Sequence, residues 1–148
     1  MRIALTALIL SAAAALPAFA QETERTSSVA SITSPEAIER EMEGARSWLE
    51  LNLIDYQSAQ FRQVRVVLMS PDRRNRRQVV PVVCGLVNAR NRMGGYTGYQ
   101  PFMHGSGLPE GWQGRLSPTA GDLCDAANPV SGEDYSARLQ PATGGGAE

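Results

Sequence analysis

The sequence predicts an α+β domain: one long N-terminal amphipathic helix packed on a small antiparallel β-meander and held by one disulfide. Three observations carry that expectation. Apolar residues recur at helical spacing through Ile38, Met42, Ala45, Leu49 and Leu53. Val64, Val66 and Leu68 then alternate with their neighbours, which is a strand pattern. Only two cysteines occur, Cys84 and Cys124, so a single intramolecular pairing exists.

Composition sets the boundaries. Residues 1–20, MRIALTALILSAAAALPAFA, join a basic start at Arg2 to an apolar run from Ile3 to Leu16 and a small-x-small end at Ala18 to Ala20. That is the layout of a secretory signal peptide cut between Ala20 and Gln21. The apolar run is shorter than the ~20 residues a bilayer core needs. The chain is therefore expected to carry no membrane span after cleavage and to be periplasmic or secreted. Residues 21–33 are polar and expected to be flexible; residues 126–148 are rich in Gly, Pro and Ser and expected to form a disordered tail. Neither segment offers enough apolar surface to offset the entropy of ordering. Residues 34–125 remain as the folded domain, with a modest core. In an oxidising compartment Cys84 and Cys124 are expected to join, which would stabilise the fold by roughly 4 kcal/mol. The sequence lacks both close Cys-x-x-Cys spacing and a four-ligand set, so neither a metal nor a cofactor is expected.

The elements follow in order. Ser34 can cap a helix, Pro35 suits its first position, and Glu36 sits where the helix dipole favours an acid. Ala37 and Trp48 widen the apolar stripe, and Glu39, Arg40, Glu43, Arg46 and Glu50 occupy the other face. Asp55 can open a short second helix or turn. RQVRVVLM, residues 62–69, reads as a strand, and SPDRRNRR, residues 70–77, as a turn. QVVPVVCGLVNARN, residues 78–91, resumes strand character, with Pro81 near a strand start or on an edge. Gly94 and Gly95 permit a tight turn, and YTGYQPFM, residues 96–103, returns as the third strand. Residues 105–121 are expected to form a long loop anchored by Trp112.

Lysine is absent, and the arginines are unevenly spread. Eight lie between Arg62 and Arg92 against one acid, Asp72, while the flanking segments are acidic. The plain reading is mutual neutralisation within one small domain. The sharper reading is an anion-binding face.

Candidate chemistry is sparse. The one histidine, His104, reads as a surface or strand-end residue beside a glycine turn; a hydrolase would pair it with Ser106 or Ser117 and Asp122, which share no spacing signature with it. MGGYTGY lacks the spacing and the following helix of a phosphate-cradling loop. Arg62, Arg90, Tyr96 and Tyr99 combine cations with rings, as polyanion surfaces do. Cation–π packing is their structural alternative. Asn88 and Asn91 could hydrogen-bond a ligand or satisfy turn backbone.

Two motifs carry a resemblance. Ser58, Ala59, Phe61, Arg62 and Val64 match Ser-Ala-x-Phe-Arg-x-Val. Cys84, Gly85, Val87, Asn88, Asn91, Gly94, Gly95, Tyr96, Gly98, Tyr99, Pro101 and Phe102 match Cys-Gly-x-Val-Asn-x-x-Asn-x-x-Gly-Gly-Tyr-x-Gly-Tyr-x-Pro-Phe. Together they resemble a family of small exported bacterial proteins of unknown function. The resemblance implies a Gram-negative envelope setting and carries over no catalytic residue.

These readings converge on an exported binding or structural module of the cell envelope rather than an enzyme. Its expected partner is an envelope protein or an anionic polymer, not chromosomal nucleic acid. Its expected site comprises Arg62, Asn88, Arg90, Asn91, Tyr96 and Tyr99. The alternatives are a small hydrolase using His104 and an inhibitor that inserts the 105–121 loop into another envelope protein.

Overall fold

The computed structural model describes residues 29–72, 74 and 77–141. The expected signal peptide, residues 21–28 and residues 142–148 lie outside the described residues. Residues 29–32 are helical, and Thr33 donates its N–H and its hydroxyl to the Val29 carbonyl. This part of the segment expected to be flexible is ordered backbone.

Helix α1 runs Pro35–Asn52. The Ser34 hydroxyl accepts the Ala37 N–H at 3.2 Å, satisfying one of the orphan donors of the first turn. One face of α1 buries Ala37, Ile38, Glu41, Met42, Ala45 and Leu49. After a 3-10 turn, Tyr56–Ser58, capped by Asp55, come β1 (Gln60–Met69), β2 (Val80–Asn88), β3 (Gln100–His104), β4 (Gly114–Leu116), helix α2 (Pro118–Asp125), β5 (Asn128–Pro129) and helix α3 (Ser136–Leu139). The strands form one antiparallel sheet ordered β4-β3-β2-β1-β5.

The fold is α+β, with a helix on each face of the sheet. Because side chains alternate along a strand, Val66 and Val83 enter the core with α1, while Val67, Val82, Cys84 and Met103 enter a second core with α2. Phe61 and Val64 are three residues apart, so strict alternation would send them to opposite faces. A bulge prevents this. The register shifts between Arg62 and Arg65, and Gln63 adopts a positive φ of 53°. The extra residue lets Phe61, Val64 and Val66 all face α1.

The expected Cys84–Cys124 bond is formed, with a Cα–Cα distance of 6.0 Å, and it ties α2 to the central strand. The segment expected to be one long loop, 105–121, contains β4 and the start of α2. Ser117-Pro118 opens α2 with the same Ser-Pro signal that opens α1, but so short a helix buries only Ala120 and Cys124 and shows no clear period.

The expected tail, residues 126–148, also needs correction over its described part. β5 pairs with Val67 and Leu68, and the chain then runs along the open edge of β1. Val130 N–H donates to the Val66 carbonyl at 2.9 Å and Tyr135 N–H to the Val64 carbonyl at 2.7 Å. Tyr135 and Leu139 are buried in the α1 core. The Tyr56 hydroxyl donates to the Leu139 carbonyl at 2.7 Å, and Arg138 pairs with Glu39 at 2.7 Å. The segment is ordered by a strand edge that lacked hydrogen-bond partners and by two apolar anchors spaced one helical turn apart.

Candidate functional site

The strand register divides the basic middle of the sequence. Gln60 lies opposite Asn88 at one end of the β1–β2 pair, and Met69 opposite Val80 at the other. Arg62, Arg90 and Arg92 thus fall near one end, and Arg74 and Arg77 at the other, about 30 Å away at strand rise. Between them Arg65 pairs with Asp125.

At the first end the two motifs meet. The Arg62 guanidinium lies 4.4 Å from the centre of the Tyr99 ring, and Arg90 lies 5.4 Å from that of Tyr96. The rings are themselves held: the Tyr96 hydroxyl donates to the Ser58 carbonyl at 3.2 Å, and that of Tyr99 to Gln60 at 3.4 Å. Arg90 N–H donates to the Ser58 hydroxyl at 3.0 Å. The ion pairs of Arg65 with Asp125 and of Arg138 with Glu39 and Glu133 lie elsewhere, and among the described residues no carboxylate is paired with Arg62 or Arg90.

The asparagines do backbone work. Asn88 Oδ1 accepts the Gly98 N–H at 3.0 Å, spanning the β2–β3 connection. Asn91 Oδ1 accepts the N–H groups of Met93 and Gly95 at 2.9 and 3.1 Å. Gly94 and Gly98 supply the positive φ angles, 80° and 89°, that this connection requires. Four of the six expected site residues therefore present cations or rings, and two set the loop that carries them.

A groove of about 180 Å³ opens between this connection and the end of α1. Asn52, Leu53 and Ile54 line one side, and Arg90, Asn91 and Thr97 belong to the other. Ile54 is 63% exposed and Met93, at the tip of the turn, 94%. Residues 52–54 were not part of the site expected from sequence. The signal available was Leu51 and Ile54, apolar residues just beyond the helical stripe.

His104 ends β3 but is buried, at 8% exposure, between Gly44 and Trp48. Its Nδ1 has no hydrogen-bond partner. Burial lowers its pKa below the usual imidazole value, and the nearby Glu41 charge pulls it partly back up. The hydroxyl that a hydrolase would need is engaged elsewhere: Ser106 donates it to Glu41. Ser117 caps α2, and Asp122 lies on α2, across the sheet. Among the described residues no group of three His, Cys, Asp or Glu could hold a metal ion, and no helix is long and apolar enough to cross a membrane. Trp112 is half-exposed with Arg115 stacked on its ring at 4.2 Å.

Compared with protein-family models, with curated proteins and with solved structures, the chain gives no significant match in any of the three.

Proposed function

We propose that this chain is a small exported module of the cell envelope that binds a partner through the end of its sheet formed by Ser58–Arg62 and Asn88–Tyr99. The observation that carries the reading is the pair of stacked, unneutralised arginines, Arg62 on Tyr99 and Arg90 on Tyr96. A guanidinium resting on a ring keeps its in-plane N–H edge available for a carboxylate or phosphate, with little entropy left to lose on binding. The signal-peptide pattern, the disulfide and the motif resemblance support the envelope setting. Ser106 and His104 lack the mutual hydrogen bond of a nucleophile and its base, which favours binding over hydrolysis.

The test is a photo-crosslinking residue placed at Met93 in the full chain, with the same group at Gln78 as a control beyond the far end of the sheet. Adducts from Met93 that are absent from Gln78, and that disappear in Arg62→Gln/Arg90→Gln with the melting temperature unchanged, are the expected result. Identical adducts from both positions would refute the surface.

A further inference from the structure

The groove beside Arg90 has a chemistry that narrows the partner. Its lining contains one charged side chain, Arg90, and no carboxylate. Leu53, Ile54, Val87, Ala89 and Leu116 are half of its lining residues, and with Val87 and Ala89 buried its alkyl surface comes chiefly from Ile54, Leu53 and Leu116. Ile54 is 63% exposed, and outside the groove Met93 at 94% and Leu51 at 85% add apolar surface near the same end of the molecule. Burying such surface against a partner is favourable only if that partner is itself apolar there. A polymer that offers charge alone would leave the alkyl groups wet. At about 180 Å³ the groove is smaller than the roughly 300–1,000 Å³ of a cofactor or drug-sized site. It fits a side chain or two.

We infer that this groove takes a short acidic, apolar peptide segment of a partner protein. An aliphatic side chain rests against Ile54 and Leu53, and a neighbouring carboxylate is gripped by Arg90. Tyr96 holds the Arg90 guanidinium from one face, and Tyr96 is itself fixed to Ser58. The carboxylate therefore meets a cation already in place, as a bidentate pair prefers. The same geometry disfavours basic peptides, since nothing acidic lines the groove to receive them. This inference rests on the reading of that sheet end as the recognition surface.

Selection from a random peptide library displayed on phage, against the full oxidised chain, tests it. The expected peptides carry Asp or Glu beside Leu, Ile or Val. Fluorescence anisotropy of the best labelled peptide should show binding weakened about tenfold or more by Arg90→Gln and by Ile54→Asp, and unchanged by Arg74→Gln in the far turn. Ile54 and Arg90 are exposed, and circular dichroism melting confirms that both variants fold. No enrichment, basic peptides, or binding insensitive to both variants overturns the inference. Binding of dextran sulfate that falls equally in Arg90→Gln and Arg74→Gln but not in Ile54→Asp, with no peptide selected, assigns the arginines to an anionic polymer and likewise overturns it. In each of these cases a partner still captured specifically from Met93 leaves the surface standing and removes only the peptide chemistry; loss of that capture removes both.

Discussion

Ser106, at the head of the β3–β4 connection, donates its backbone N–H and its hydroxyl to the Glu41 carboxylate on α1, the N–H at 3.1 Å. Glu41 is only 7% exposed, so these bonds replace the water that its charge gives up. Glu41→Ala leaves the Ser106 N–H without its acceptor and should destabilise by about 1–3 kcal/mol. Glu41→Gln keeps an acceptor and should cost less. Urea midpoints of the two variants check this; equal values would show that the bonds contribute nothing.

The His104 imidazole has its pKa lowered by burial, from an ordinary value of 6.5, with Glu41 opposing the shift. The unfolded chain therefore takes up this proton more readily than the fold. The contribution of His104 to stability is complete above pH 6.5 and is lost as the pH falls below it. Urea midpoints measured from about pH 8 to about pH 5 should decline, and His104→Gln should flatten the acid part of that decline. A variant with the wild-type slope would assign the acid sensitivity to other groups.

Gly114 on β4 lies under Trp48, and a β-carbon there would fall inside the indole. Gly114→Ala should destabilise by about 1–3 kcal/mol through overpacking. Combined with Trp48→Leu, the same substitution should cost much less, a coupling that a double-mutant cycle measures. Simple additivity of the two would mean that the indole moves aside without penalty.

Leu139 is fully buried although it lies in a segment of Gly, Pro and Ser composition. Leu139→Ala should cost about 2–5 kcal/mol, as in any well-packed core, against under 0.5 kcal/mol for the exposed Ala137→Ser. Thermal melts of the two variants separate a docked segment from a loose one.

Reducing the Cys84–Cys124 bond frees two residues 40 apart in sequence and should remove roughly 4 kcal/mol. The melting temperature with and without reductant reads this directly. A fall confined to Cys84→Ala, absent in Cys124→Ala, would point to cavity formation on β2 in place of lost cross-linking.

Periodic stretches of the fold were legible in the sequence, and stretches that depend on a neighbour were not. Ser34-Pro35 and the apolar spacing through Leu49 specify α1 locally. β1, β2, β3, the turn at Gly94 and the disulfide are likewise visible as alternation, turn chemistry and cysteine count. β5 and α3 are two and four residues long and exist because β1 offers an open edge, which no local pattern encodes. At the candidate site, arginines and tyrosines could be singled out by type, but which ring each cation meets depends on the register around the Gln63 bulge. The groove was hidden for the same reason: Ile54 and Arg90 are 36 residues apart in sequence and become neighbours only when the sheet end folds beneath α1.

The strap along β1 also sets when the molecule can exist. Phe61 is bonded by Gln140 at a separation of 79 residues, Tyr56 by Leu139 at 83 and Glu39 by Arg138 at 99. Contacts so distant in sequence close slowly and late. A nascent chain that has released β1 and β2 but not residues 128–139 exposes an unpaired strand edge and an unsealed core, a template for aggregation. The fold is therefore sealed only once residues 128–139 have docked, and the interval before they arrive is when a chaperone would have to shield it.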